Sequence, residues 1–471
     1  MNQSYRIERD SLGEIEVPAA AYWGAQTQRA IGNFPISGHK PAFGFVWATA
    51  AIKRAAAVVH RDLGLLPPDK ARAIVEAAAE VMDGKLTDQF VVDVYQAGAG
   101  TSHNMNANEV IANRALEILG HHRSEYKIIH PNDQVNMAQS TNDVIPTALR
   151  LFFLRDGIPL LEAIDRLALG LREKAEEFDG VLKSGRTHLQ DAVPVRLGQE
   201  FGAYAEAVER GCAKIAQARE GLLEIGLGGS AAGTGLNAHP EYRVRVTTAL
   251  AEITGFPLKQ TADYFWAMQS LGPLVEFSAA LRNFAIELSR IMNDLRLLSS
   301  GPTTGLNEIT LPPVQPGSSI MPGKVNPVMA EMLNMVCFSV IGFDEAVTWA
   351  AGAGQLELNV MMPLLAFLVG EQMKALTGGI TAFVDRALDG IVANEADCRR
   401  FLEKSLGLVT ALNPIIGYEK AAEVAKESRR TGRSIKEIIL EKGYLTAEKM
   451  QRILDPATLT EPSIPGMNNN D

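Results

Sequence analysis

An all-α fold built on long helices is predicted by three features of the sequence. Aromatic residues make up only 6% of a chain that is 46% hydrophobic, and Ala, Leu, Glu and Met are plentiful, a composition that favours helix over sheet. Leu274, Phe277, Leu281, Phe284, Leu288, Ile291, Leu295 and Leu298 recur at strict 3/4 spacing, one apolar stripe on a helix of about 25 residues and roughly 37 Å. A second stripe runs through Leu154, Ile158, Leu161, Ile164, Ala168, Leu171, Ala175 and Phe178.

With 471 residues the chain is too long for one ordinary core, and about three domains are expected. Residues 1–140 have shorter segments with several Pro and Gly, and read as a mostly helical N-terminal domain with a helix at 69–83. Residues 141–396 carry the two stripes, with Gly157 and Pro159 expected to start or kink the earlier helix, and further helices at about 197–225, 328–350 and 363–391. Helices this long are best covered by one another, so near-parallel packing at about 20° follows. Apolar faces left over would drive oligomerisation, an isolated monomeric bundle being the alternative. Residues 397–471 form a small C-terminal helical domain with turns near Thr431-Gly432 and Gly443-Tyr444, and the tail after Pro462 is expected to fray. No repeat of 20–50 residues is evident.

The 45 Lys+Arg against 55 Asp+Glu give a net charge of −10, and a pI near 5.5. This argues against a general nucleic-acid or anionic-membrane binder but leaves room for a small anion in a locally basic pocket. The basic run of Lys426, Arg429, Arg430, Arg433 and Lys436 is interleaved with Glu427 and Glu437, and reads as a solvated face rather than a DNA reader. Cys212, Cys337 and Cys398 lie too far apart for a disulfide framework or a CxxC metal site, so a reducing cytoplasm is the simplest compartment. The N-terminus lacks the apolar core of a secretory signal, and the run Phe43–Val59 is interrupted by Lys53 and Arg54, so a soluble protein is expected.

Three sets of polar residues interrupt the helices. Gln96-Ala97-Gly98-Ala99-Gly100-Thr101-Ser102-His103-Asn104-Met105-Asn106 pairs glycines that let backbone approach a ligand with short hydrogen-bonding side chains. It lacks the GK[ST] ending of a phosphate loop. Its partner, Gln139-Ser140-Thr141-Asn142-Asp143, also reads as an ordinary helix N-cap cluster. Gly185-Arg186-Thr187-His188-Leu189-Gln190-Asp191 places a histidine among groups that could set its tautomer; a structural histidine is the alternative. In Gly317-Ser318-Ser319-Ile320-Met321-Pro322-Gly323-Lys324-Val325-Asn326-Pro327, Pro and Gly forbid helix, while two hydroxyls, an ammonium and a carboxamide suit a small dicarboxylate.

Gly317 to Pro327 resembles the G-S-S-x-M-P-x-K-x-N-P signature of the fumarase/aspartase superfamily. GAGTSHNMNANEVIANRA, QSTND, GRTHLQDAVPVRLGQEF and GTGLN resemble the family's other motifs in order and spacing, and the similarity extends over essentially the whole chain. It implies a three-domain all-α fold in which five central helices per subunit build a twenty-helix homotetrameric core with composite active sites. Gln139–Asp143, Tyr95–Ser102 and Gly354–Met361 resemble the aspartate ammonia-lyase branch. Trp23–Gln28, Gly228-Gly229-Ser230 and His239–Tyr242 pull toward class II fumarases, but the former group touches the substrate loops and weighs more. Thr303-Thr304, Met362 (where aspartases commonly carry Glu) and Trp266–Gly272 depart from the pattern and leave room for a modified aspartate or another four-carbon acid.

The resemblance implies reversible deamination of L-aspartate to fumarate by anti-elimination through an aci-carboxylate, with no cofactor or metal. Ser318 would be the general base, which demands an alkoxide or something near it. Five pKa units correspond to about 7 kcal/mol, and one well-aimed donor supplies about 3–4 kcal/mol, so several loop N–H groups plus Lys324 are needed. By the same resemblance Thr187, Lys324 and Asn326 hold the α-carboxylate, and Thr101, Ser140, Thr141 and Ser319 the β-carboxylate. Asn142 and His188 face the amino group. The alternatives are a class II fumarate hydratase and a non-catalytic protein reusing the fold.

Overall fold

The computed structural model describes residues 4–455, 458–462 and 464. In chain order the elements are β1 (Tyr5–Asp10), β2 (Gly13–Pro18), α1 (Ala25–Asn33), α2 (Phe43–Asp62), α3 (Pro68–Met82), α4 (Thr101–Ile118), α5 (Thr141–Glu177), β3 (Leu182–Thr187) and β4 (Gln190–Arg196). There follow α6 (Leu197–Glu220), β5 (Glu224–Ile225), α7 (Tyr242–Thr254), β6 (Lys259–Gln260), α8 (Tyr264–Gln269), α9 (Gly272–Leu298), β7 (Ile309–Thr310), α10 (Val328–Gly352), α11 (Met362–Phe383) and β8 (Val392–Ala393). The chain closes with α12 (Glu395–Lys404), α13 (Asn413–Ile416), α14 (Tyr418–Thr431), α15 (Ile435–Glu441) and α16 (Ala447–Ile453). Every described sheet has two strands, and the fold is all-α.

Contacts divide the chain into two compact units. The first comprises Met1–Glu162, Gly211–Ile286 and Cys337–Thr377; the second comprises Ala163–Arg210, Glu287–Val336 and Gly378–Asp471.

In the first unit, α2, α3 and α4 share one core. Val46, Ala50 and Ala57 of α2 meet Ala71, Ile74 and Ala78 of α3 and Val110, Ile111 and Ala115 of α4. Alanine at so many of these positions lets the helix axes approach closely. The run that reads as an interrupted apolar span is thus a core helix, with Lys53 fully buried.

The stripe on α9 is realised in full: none of its eight side chains is more than 6% exposed. The stripe on α5 is realised except at Ile158. This helix begins at Thr141, so Gly157 and Pro159 do not start it, and Pro146 and Pro159 both lie inside. Leu154, Ile164, Ala168, Leu171 and Phe178 are buried, Leu161 and Ala175 are half-buried, and Ile158 is 40% exposed, with Leu160 and Leu167 buried beside them.

By length and composition α10 is the described helix that could cross a membrane. It carries Glu331, Asp344 and Glu345, and it leaves Met335, Phe338 and Trp349 exposed.

In the second unit, β3 and β4 form an antiparallel hairpin with Thr187 opposite Gln190. Val424, Ile435, Ile438, Ile439 and Ile453 form a small core among α14, α15 and α16. Gly432 (φ 73°) ends α14 and Gly443 (φ 65°) follows α15, where turns are expected. Arg433 pairs with Glu441 on the solvated face. The tail after Pro462 lies, apart from residue 464, outside the described residues.

Candidate active site

The first unit gathers Thr101, Ser140, Thr141 and Asn142. Residues 97–100 turn sharply into α4, with Ala99 at φ 60° and Gly100 at φ 86°. Gly100 takes a left-handed φ that favours glycine, and a Cβ there would also crowd the Ile145 side chain of α5 at 3.1 Å. The Ala99 N–H donates to the Val360 carbonyl at 2.8 Å, tying in the 354–361 stretch. The side-chain oxygen of Gln96 accepts the His103 N–H at 2.8 Å and holds the first turn of α4, where Thr101 stands exposed. His103 itself is buried and stacked on Phe45, with its Nε2 3.0 Å from Thr49 Oγ1. Burial pushes its pKa down to about 3, so the ring is neutral and structural.

Lys53 joins this stretch to residues 136–143. Its Nζ donates to Asn104 Oδ1 (2.8 Å), Asn136 Oδ1 (2.7 Å) and Gln139 Oε1 (3.0 Å). Burial lowers its pKa to about 7, opposed by the charge of Asp143. The Asp143 carboxylate accepts the N–H groups of Ser140 (2.9 Å), Gly228 (2.9 Å) and Ser230 (3.0 Å). Its own pKa is raised to about 6 by burial, against those donors. Asn142 Nδ2 donates to the Ala231 carbonyl at 2.8 Å. The N-cap reading of Gln139–Asp143 therefore holds at Ser140, whose Oγ accepts the Asn142 N–H at 3.2 Å while the Asp143 carboxylate accepts the Ser140 N–H in return.

The second unit carries the remaining residues on two projections. His188 (φ 54°) and Leu189 (φ 59°) form the two-residue turn of the β3–β4 hairpin, and Thr187, His188 and Leu189 are exposed. The hairpin is anchored from beneath by Glu308, at 0% exposure, which pairs with Lys183 (2.8 Å) and Arg186 (2.9 Å). Lys183 also pairs with Glu200 at 2.7 Å. Rigid anchoring at the base lets an exposed tip hold its direction.

The loop before α10 is clasped at its neck. The Gly317 N–H donates to the Lys324 carbonyl at 2.7 Å, and Asn326 Nδ2 donates to the Gly317 carbonyl at 2.9 Å. Within the loop, Ser318 Oγ accepts the N–H groups of Ile320 (3.2 Å) and Met321 (3.0 Å). Two backbone dipoles thus point at this oxygen and favour negative charge on it. Ser319 and Lys324 are exposed, and the Lys324 ammonium makes no ion pair among the described residues. No hydrogen bond among the described residues joins this loop to the hairpin tip.

Residues 13–342 match the family model described as "Lyase", and residues 408–461 match "Fumarase C C-terminus". The chain belongs to the lyase family. It is 49% identical over 464 residues to the aspartate ammonia-lyase of Bacillus subtilis (strain 168), covering 98% of each chain. It is also 50% identical over 470 residues to the class II fumarate hydratase of Halobacterium salinarum, covering 98% of this chain and 99% of that one. The fold superposes on a crystal structure of a fumarate lyase:delta crystallin from Brucella melitensis with a TM-score of 0.95 at 48% identity, covering 98% of this chain and all of that one.

In this lyase the sequence motifs fall on a helix start, a hairpin tip and a loop, and their supports come from segments distant in sequence. Lys53 interrupts an apolar run, and that interruption was the one local sign of a buried polar node. Nothing near residue 308 signals that Glu308 sits beneath the hairpin. Of the departures from family pattern, Met362 lies fully buried at the start of α11, an apolar place that suits a thioether better than a carboxylate. Thr303 and Thr304 are exposed.

Proposed function

We propose that this lyase is a carbon–nitrogen lyase that interconverts L-aspartate with fumarate and ammonia. The observation that carries the reading is Ser318 Oγ, aimed at by two backbone N–H groups inside a loop that also presents Lys324 and Asn326. Ser318, as alkoxide, removes the proton from the carbon beside the β-carboxylate. The electron pair moves into that carboxylate, giving an aci-carboxylate dianion held by Thr101, Ser140, Thr141 and Ser319. Its collapse forms the double bond and expels the amino group, faced by Asn142 and His188, while Thr187, Lys324 and Asn326 hold the α-carboxylate. No step requires a cofactor or a metal.

Further parts of the reading concern assembly. A cytoplasmic homotetramer would cover the exposed Met335, Phe338 and Trp349 of α10 and complete composite sites from several subunits. The division into domains 1–140, 141–396 and 397–471 belongs to the same reading. The Halobacterium relative favours a second substrate, malate, on the same scaffold. Ammonia release from L-aspartate, set against fumarate hydration followed at 240 nm, with malate, 3-methylaspartate and argininosuccinate as controls, separates the two. Turnover of malate without release of ammonia from aspartate would overturn the proposal.

A further inference from the structure

Lys53 touches none of the proposed substrate residues, yet it sits where two of their carriers meet. Its ammonium donates to three side-chain oxygens from two segments far away in sequence: Asn104 on α4, and Asn136 and Gln139 before α5. Asn104 lies one turn beyond Thr101, and Gln139 immediately precedes Ser140 and Thr141. The network continues from there. Asn104 Nδ2 reaches Asn136 Oδ1 at 3.3 Å and Thr141 Oγ1 at 3.4 Å, while Asn136 Nδ2 donates to the Gln139 carbonyl at 3.2 Å.

For packing alone a lysine is a costly choice here. The side chain is at 0% exposure within an alanine-rich helix face, and burial favours its neutral form. A methionine would fill the same volume without the desolvation penalty. A compact ammonium, however, converges three oxygens at once, and no apolar side chain does that.

We infer that Lys53 is a positioning residue: it sets the separation and direction of the Thr101 and Ser140–Thr141 hydroxyls, and so the affinity of the site for the substrate's β-carboxylate. The inference rests on the carboxylate role proposed above for those hydroxyls. Substrate-size dicarboxylates would therefore bind weakly when the node is lost, even with every substrate-touching side chain intact.

The test uses the full-length protein and succinate, a four-carbon dicarboxylate that does not turn over and is shared by the aspartate and malate readings. Calorimetric titration is expected to show Lys53→Met and Asn136→Ala each weakening succinate at least tenfold. Their double variant should be no weaker than the worse single, because both break one node. KM is expected to rise at least tenfold, with kcat falling no more than KM rises. Gln139→Leu, at a half-buried position, provides a milder perturbation with the same direction of effect should Lys53→Met fold poorly. A merely structural role would lower the active fraction, and hence kcat, while succinate affinity and KM of the folded protein stayed at wild-type values; that result overturns the inference. Wild-type protein that fails to bind succinate would overturn the carboxylate reading itself, and the inference with it.

Discussion

Gly317→Ala isolates the neck of the serine loop. A Cβ built on Gly317 would lie 2.7 Å from the Lys324 carbonyl oxygen and 2.8 Å from the Asn326 nitrogen, both backbone atoms that cannot swing aside. The substitution must therefore open the clasp formed by the Gly317 N–H on Lys324 and by Asn326 Nδ2 on Gly317. Two hydrogen bonds at about 1–1.5 kcal/mol each amount to about 2–3 kcal/mol lost from the closed loop. Gly317 is not among the positive-φ glycines, so alanine meets no backbone penalty and restricts the unfolded chain, a gain of about 0.4–1 kcal/mol. Because the loop is exposed, global stability should hardly change. Activity should, since Ser318, Lys324 and Asn326 are all displaced together: kcat/KM is expected to fall by about 30- to 150-fold. Ammonia release from aspartate gives the activity, and thermal unfolding followed by circular dichroism gives the stability. A variant within threefold of wild type would refute the claim that the clasp places the proposed base, Ser318.

Ser318→Ala should abolish turnover while leaving the unfolding midpoint unchanged, since Ser318 Oγ serves only local N–H groups; a variant as active as wild type would remove the general base from the scheme. Glu308→Ala should cost about 3–5 kcal/mol, because Lys183 and Arg186 lose a fully buried partner, although Glu200 still neutralises Lys183. Chemical denaturation measures that loss, and a change below 1 kcal/mol would show the hairpin to be held otherwise. His60 is buried, stacked on Tyr242 at 4.7 Å, and its pKa is pushed down to about 4 by burial. The unfolded chain takes this proton near 6.5 and the folded protein only near 4, so stability contributed by the neutral ring falls as pH drops through that window. His60→Phe keeps the stacking and should flatten the stability–pH curve between about 6.5 and 4; an unchanged slope in urea titrations across that range would contradict the assignment.

Much of this molecule is legible in one dimension because its strongest signals are local. The α9 stripe needs nothing beyond a 3.6-residue period, and all eight of its side chains are buried as expected. The loop at 317–327 needs nothing beyond the conformational limits of Pro and Gly. The α5 stripe holds at Leu154, Ile164, Ala168, Leu171 and Phe178 but not at Ile158, and the helix begins 18 residues before Pro159, at Thr141, so the proline lies inside it.

Sequence by itself determined where hydroxyls, an imidazole, an ammonium and a carboxamide come together, because they cluster within short loops. Only the tertiary structure decided how those loops are held. Lys53 meets Asn136 and Gln139 across 83 and 86 residues, Asp143 meets Gly228 across 85, and Arg186 meets Glu308 across 122. Such partners are chosen by the packing of helices around them, and an isolated charge in a sequence does not say which oxygen will come to solvate it once water has gone.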